Sequence, residues 1–170
     1  PISENDPCGN TKNPYGTSKY AIERILNDLA LSNKKWTVVI LRYFNPIGAH
    51  SSGLIGEDSG ERPDNLMPFI TKVAMGILPF LEVYGADYNT PDGSGIRDYI
   101  HILDLASGHV KALDFTDNAL GSHTFNLGTG NGYSVFEVIQ SFKDVTNITI
   151  PFKIVPRREG DIAISYADVS

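Results

Sequence analysis

Two residues near the start of the chain, Tyr15 and Lys19, have the types and the spacing that proton transfer requires. They lie four positions apart in a segment expected to be helical, so their side chains share one helix face. A phenol is a weak base near neutral pH, but a nearby ammonium group favours its ionised form. A tyrosine tuned in this way can take or give a hydroxyl proton while a hydride moves elsewhere. Because the chain has eight tyrosines, the spacing alone also fits a solvated helix face.

Arginines provide a second chemical signal. The formal net charge is −6, so an anionic ligand needs local positive charge, which Arg97 and the pair Arg157-Arg158 supply. A planar guanidinium can bind phosphate oxygens through two parallel hydrogen bonds. The alternative is a pair of surface salt bridges, because Asp98, Glu159 and Asp161 are close by in sequence.

Composition argues against several other classes of protein. The negative net charge argues against general nucleic-acid binding. No apolar run approaches the roughly 20 residues that span a bilayer, so we expect no membrane association. The single cysteine, Cys8, excludes an internal disulfide framework and fits a cytoplasmic protein. The four histidines have no acidic partner at metal-ligand spacing, so we expect no metal site.

The elements that must position these side chains alternate between helix and strand. Asn13 as N-cap and Pro14 in the first turn predict a helix over residues 15–31. A run rich in β-branched residues over 36–41 is typical of a buried parallel strand, and a long loop follows over 43–64. This alternation predicts an α/β layered fold. Further strands are expected at 81–84, 98–102, 122–127 and 150–155, and further helices from 65, over 103–113 and from 134.

The glycines at 128, 130 and 132 superficially match a phosphate-binding loop. They lack the spacing of the dinucleotide motif and do not lie in a first βαβ unit. We therefore interpret them as a turn between a strand and a helix, with Ser134 and Glu137 forming a capping box at the start of that helix.

Six short segments spread along the chain carry a family signature. They lie at residues 13–19, 41–50, 65–68, 95–101, 125–130 and 156–161, and the last reads Pro-Arg-Arg-Glu-Gly-Asp. Together and in this order they resemble the UDP-galactose 4-epimerase family of the extended short-chain dehydrogenase/reductase superfamily. The tyrosine and lysine are shared across that superfamily, whereas the combination of segments is specific. The resemblance covers essentially all 170 residues.

The resemblance implies an NAD-dependent interconversion of UDP-galactose and UDP-glucose. Tyr15 would remove the proton of the sugar 4-hydroxyl while C4 gives a hydride to NAD. The 4-keto sugar would then rotate and take the hydride back on its other face. Lys19 would hold the nicotinamide ribose and favour the ionised form of Tyr15. Tyr43 and Pro46 match cofactor-side contacts at the carboxyl end of a strand, where open α/β sheets bind ligands.

The resemblance also places a UDP-hexose substrate. Arg97 and Arg158 match diphosphate-binding arginines, and Tyr84 lies where the family contacts uracil. Other roles stay open: Asn65 would cap its helix, Tyr84 would be a core aromatic, and Asp161 would pair with Arg158. A small residue at Ser165 implies room for N-acetylated UDP-hexosamines. The matched substrate residues are Asn45, Asn65, Leu66, Tyr84, Arg97, Arg158, Asp161 and Ser165.

The resemblance implies two domains. Residues 1–45 would be the C-terminal part of a Rossmann-like NAD-binding domain with a doubly wound parallel sheet. Residues 46–170 would form a smaller α/β nucleotide-sugar domain, incomplete at its C-terminus, with part of 98–133 returning to the Rossmann sheet. The family's glycine-rich NAD loop and catalytic Ser or Thr match nothing here, so we expect a fragment that alone binds NAD poorly and turns over little. A homodimer through the Tyr15 helix and the helix before it is also implied.

Two other functions compete with the epimerase. One is a non-catalytic UDP-sugar-binding module, which would bind UDP without NAD. The other is a related nucleotide-sugar enzyme such as a 4,6-dehydratase, whose extra acid/base pair would lie upstream of residue 1. Asp64 departs from the family, which often has a second Asn there, and adds negative charge near the diphosphate.

Overall fold

The computed structural model of the chain describes residues 1–11, 13–58, 60 and 63–170. Helices and strands alternate along it, which confirms the predicted α/β fold. The helices are α1 (Pro14–Ser32), α2 (Leu66–Ala74), α3 (Ile102–Thr116) and α4 (Val135–Thr146). The strands are β1 (Thr37–Tyr43), β2 (Asn45–Ile47), β3 (Leu81–Tyr84), β4 (Ile96–His101), β5 (Gly121–Leu127), β6 (Gly132–Ser134), β7 (Phe152–Val155) and β8 (Ile164–Ser165).

Local signals set the starts of α1 and α4 as predicted. At α1 the Gly16 N–H donates to the Asn13 side-chain oxygen at 2.7 Å, with Pro14 in the first turn. At α4 the Ser134 hydroxyl accepts from the Glu137 N–H at 3.1 Å, and the Glu137 carboxylate accepts from the Ser134 N–H at 2.7 Å. This reciprocal capping box satisfies two backbone donors that a helix start leaves without partners.

Three short strands were not predicted. The loop expected over 43–64 contains β2, and its residues 59, 61 and 62 lie outside the described residues. β6 and β8 are likewise two or three residues long. All three strands pair with β4. β2 and β8 run parallel to β4, and β6 runs antiparallel to it. Such short strands depend on a distant partner, so local periodicity carries little information about them.

The first core lies between α1 and the parallel pair of β1 and β5. These strands pair from Thr37 opposite Gly121 to Tyr43 opposite Leu127. Ala30 of α1 and Val38 and Ile40 of β1 are buried against one another. This packing joins α1 to β1, so the helix that carries Tyr15 and Lys19 and the strand that ends at Tyr43 belong to the same packed unit.

The second core lies under α2 and α4. The parallel strands β3 and β7 carry Leu81 and Val83, which are 0% and 1% exposed. Ile70 of α2, Ile139 of α4 and Ile150 pack against them. Leu81 and Val83 face this core. The side chains of Glu82 and Tyr84, which alternate with them, therefore lie on the opposite face of β3.

The glycine-rich segment after β5 is a turn, as predicted, and a buried carboxylate holds it. Asp98 is 0% exposed and accepts from the Thr129 N–H (2.9 Å), the Thr129 hydroxyl (2.7 Å), the Gly130 N–H (3.0 Å) and the Ala167 N–H (3.1 Å). A Cβ on Gly128 would lie 2.6 Å from an Asp98 oxygen, so this position requires glycine. The salt-bridge role considered for Asp98 is wrong, because its carboxylate joins β4 to this turn and to the segment after β8.

Candidate functional site

A cavity of about 230 Å³ lies where α2, β3, β4 and the loop after β7 meet. It gathers residues that are far apart in sequence and were predicted to bind one ligand. Of the matched substrate residues, Asn45, Asn65, Leu66, Tyr84, Arg97, Arg158 and Asp161 line this cavity. Ser165 is not among its lining residues; it lies in β8 directly opposite Arg97 of β4.

Arg97 is held in place by the walls of the cavity. It forms an ion pair with Asp161 and donates to the Ile96 carbonyl oxygen at 2.8 Å. Its side chain is only 17% exposed, whereas that of Asp161 is 34% exposed. A salt bridge was considered between Asp161 and Arg158, but the structure pairs Asp161 with Arg97 instead. The guanidinium is therefore fixed before any ligand binds, which lowers the entropy cost of binding an anion.

Arg158 is held by an aromatic ring. Its guanidinium lies 4.0 Å from the Tyr84 ring centroid, and both terminal nitrogens donate to the Asp64 carbonyl oxygen at 3.3 Å. The Tyr84 hydroxyl donates to the Glu82 carboxylate at 2.8 Å. A cation over an aromatic face is attracted by the negative face of the ring, so Tyr84 orients Arg158 at the cavity wall. Tyr84 is therefore a wall residue rather than part of the apolar core.

The two asparagines reach the cavity from different elements. Asn45 lies in β2, opposite Tyr99 of β4. Asn65 is the N-cap residue of α2, but its side chain makes no capping hydrogen bond and donates instead to the Glu57 carboxylate at 3.2 Å. The capping role considered as an alternative for the Asn65 side chain is therefore wrong.

Tyr99 lines the same cavity and was not predicted as a site residue. Burial raises its pKa to about 12, and the charge of Arg97 opposes that effect only in part. Its hydroxyl consequently remains protonated at physiological pH. The signal in the sequence was its position within the segment at residues 95–101, between Arg97 and His101.

Tyr15 and Lys19, the predicted proton-transfer pair, are not among the residues that line this cavity. The Lys19 ammonium is 5.2 Å from the Tyr15 ring centroid, so the two side chains are close, as their spacing predicts. Tyr15 is 72% exposed, and Tyr43, at the carboxyl end of β1, is 54% exposed. Pro46 lines a second, apolar cavity of about 490 Å³ with Ile47, His50, Ile55, Ile102 and Leu103. The structure thus brings most of the predicted substrate positions together in one cavity, whereas Tyr15 and Tyr43 of the predicted catalytic and cofactor positions are exposed.

No helix in the described part of the chain has the length and apolar character needed to cross a membrane. No group of three or more His, Cys, Asp or Glu side chains there is arranged to hold a metal ion.

Comparison with known proteins places these features in a family context. Residues 1–128 match the family described as "NAD dependent epimerase/dehydratase family". The chain is 55% identical to a UDP-glucose 4-epimerase of Pasteurella multocida and 56% identical to one of Haemophilus influenzae, each over all 170 residues. In both cases it covers 50% of the relative, so the chain spans about half the length of these curated relatives.

Solved structures give the same result. The UDP-glucose 4-epimerase of Bifidobacterium longum, in complex with NAD⁺ and UDP, superposes with a TM-score of 0.94 at 55% identity, over 99% of this chain and 50% of that one. The UDP-Glc/GlcNAc 4-epimerase of Campylobacter jejuni superposes with a TM-score of 0.76 at 37% identity, over 99% of this chain and 50% of that one.

Proposed function

Because the chain belongs to the NAD dependent epimerase/dehydratase family, we propose that it forms part of an NAD-dependent UDP-glucose 4-epimerase. Such an enzyme interconverts UDP-galactose and UDP-glucose through a 4-keto sugar. Relatives with that name match the chain along its whole length, which supports this choice within the family. The segments at residues 65–68 and 156–161 favour this enzyme over a 4,6-dehydratase.

The cavity at α2, β3 and β4 is the observation that carries the proposal. It places two guanidinium groups, Arg97 and Arg158, on the walls of one concave site. Two such groups suit a diphosphate, whose charge they neutralise and whose oxygens accept their parallel N–H groups. Asn65 and Tyr84 add an amide and an aromatic surface for the nucleoside. The cavity therefore fits a uridine diphosphate, with Asn45 on the sugar side.

Proton transfer falls to α1 in this proposal. Tyr15 takes the proton of the sugar 4-hydroxyl as the hydride leaves C4 and returns it in the reverse step. Lys19, whose ammonium lies 5.2 Å from the Tyr15 ring centroid, holds the cofactor ribose. The exposed Tyr15 and Tyr43 leave room for a dinucleotide at the carboxyl end of β1, so the residues present fit NAD. When bound, NAD accepts the hydride and gives it back.

The domain division is proposed on the same grounds. Residues 1–45, with α1 and β1, form the end of a Rossmann-like domain, and residues 46–170 form most of the nucleotide-sugar domain. The pairing of β5 with β1 supports the return of part of 98–133 to the first sheet.

A non-catalytic UDP-binding module is the second candidate. The supporting observation is that the cavity is built without Tyr15 or Lys19. Such a module would bind UDP in the absence of NAD and convert no sugar.

The sugar range is proposed to include N-acetylated UDP-hexosamines. Ser165 is small and half-buried opposite Arg97. The relative from Campylobacter jejuni is described as a UDP-Glc/GlcNAc 4-epimerase. An active enzyme that turns over UDP-galactose but not UDP-N-acetylgalactosamine would contradict this extension.

We also propose a cytoplasmic homodimer that associates through α1. The exposed apolar residues Ile22, Ile25 and Leu29 recur at helical spacing on α1, which supports a helix-to-helix contact. Light scattering of the intact gene product gives the mass that tests this.

Calorimetric titration with UDP tests the cavity assignment in the intact gene product. We expect Arg97→Ala to weaken UDP binding about a hundredfold, because a charge-assisted bidentate contact is lost. The matched control is Arg157→Ala, since Arg157 is an ion-paired arginine in the same loop as Arg158 but outside the cavity. Equal UDP affinity in all three proteins would contradict the assignment.

A further inference from the structure

An ion pair joins α1 to β1 at a point that the proposed mechanism does not use. The Arg42 Nε donates to one Glu23 carboxylate oxygen at 2.9 Å, and an Arg42 terminal nitrogen donates to the other at 2.6 Å. The two side chains are 26% and 21% exposed. The contact is bidentate and partly buried. Such a contact fixes the relative orientation of the two side chains as well as the distance between them.

The pair belongs to a network that reaches two more segments. A terminal nitrogen of Arg42 also donates to the Glu4 carbonyl oxygen at 3.1 Å. The Glu4 carboxylate in turn accepts from the Asn126 N–H of β5 at 2.7 Å. Arg42 therefore ties the N-terminal segment, α1, β1 and β5 together.

The charges around Arg42 favour its ionised form. Its pKa is raised, chiefly because Glu23 accepts its hydrogen bonds, and this outweighs the opposing effect of burial. Glu23, Glu4 and Cys8 are the titratable groups that raise it. Arg42 thus stays charged wherever the protein is folded.

The position of this pair relates it to catalysis. Glu23 follows Lys19 by one helical turn and Tyr15 by two, on the same face of α1. Arg42 directly precedes Tyr43, at the carboxyl end of β1. We propose that Glu23 and Arg42 are positioning residues that fix the rotation of α1 about its axis, and so aim Tyr15 and Lys19 at the end of β1. This role rests on the proposed epimerase function.

Steady-state kinetics of the intact, NAD-containing gene product test the role. We expect Glu23→Gln to lower kcat per NAD-containing site by roughly ten- to a hundredfold, since misplacing a catalytic group by an ångström has effects of that size. KM for UDP-galactose should change less than about twofold, because neither residue lines the substrate cavity. Arg42→Lys retains the positive charge but loses the bidentate guanidinium contact. Its kcat should therefore lie between those of Glu23→Gln and the wild type.

Asp87→Asn is the matched control. It breaks the ion pair of Asp87 with Arg157, at 2.8 Å, which is remote from α1, and should leave kcat unchanged. A kcat for Glu23→Gln within twofold of the wild type would overturn the proposal. Should Glu23→Gln fail to fold, Arg42→Lys decides by the same criterion.

Amide hydrogen exchange gives a readout that does not need turnover. We expect amide exchange in the first turns of α1 to quicken about tenfold in Glu23→Gln, because α1 loses its contact with Arg42. Exchange in α2 should be unchanged, since α2 has no part in that contact. Equal acceleration in both helices would show a purely structural role and overturn the proposal. If the wild type converts no UDP-galactose, the proposed function fails, and the exchange result still decides whether the pair holds α1.

Discussion

Tyr99 lines the cavity between α2, β3 and β4, in the strand position next to the buried Asp98. Burial raises the pKa of Tyr99 to about 12, against about 10 for a free phenol. Between pH ~10 and pH ~12 the Tyr99 phenol therefore keeps its proton in the folded protein but has lost it in the unfolded chain. The stabilising contribution of the protonated phenol is therefore complete below pH ~10 and is lost as pH rises towards ~12.

We expect this difference to appear in the stability of the intact gene product. Its unfolding free energy should fall about 2–3 kcal/mol further between pH 10 and pH 12 in the wild type than in Tyr99→Phe. Urea unfolding at a series of pH values measures this. Parallel pH profiles for the two proteins would contradict the assigned pKa of Tyr99.

At the scale of elements, β4 organises the site. It pairs with β2, β6 and β8, and its alternate residues serve different purposes. Arg97 and Tyr99 line the cavity, while Asp98 between them holds the turn after β5 and the segment after β8. The glycines of that turn could be interpreted from their spacing, but the role of Asp98 could not, because its donors lie 31 and more positions away.

The carboxylate at Asp98 predicts a large effect for a small change. In Asp98→Asn one oxygen becomes an NH₂ group that faces backbone N–H donors, so buried donors lose their acceptor. We expect a loss of about 3 kcal/mol in unfolding free energy, with UDP binding weakened through the displaced Arg97. Asp114→Asn, at an exposed position on α3, should cost less than about 0.5 kcal/mol. Thermal unfolding of the two variants compares them, and equal melting temperatures would contradict the role of Asp98.

Across the whole molecule, two separate hydrophobic cores support the two parts of the proposed site. One packs α1 on β1 and β5 and carries the proposed proton-transfer pair, and the other packs α2 and α4 on β3 and β7 behind the proposed substrate cavity. Helix caps and β-branched runs act over a few residues, so α1, β3 and α4 could be predicted from the sequence. The pairing of Asp161 with Arg97 and of Glu23 with Arg42 could not, because these contacts join distant segments. Motif order still predicted most of the cavity, including Asn65, Tyr84 and Arg158.

Conversion of UDP-galactose by the intact gene product tests whether the protein is an epimerase with Tyr15 as its acid/base. Chromatography of the nucleotide sugars after incubation measures the UDP-glucose formed, for the wild type and for Tyr15→Phe, with Tyr20→Phe on the same helix as control. We expect conversion to an equilibrium mixture by the wild type and the control, and a loss of at least about a hundredfold in kcat for Tyr15→Phe. No UDP-glucose from a wild-type protein that binds UDP would contradict it and favour the non-catalytic module.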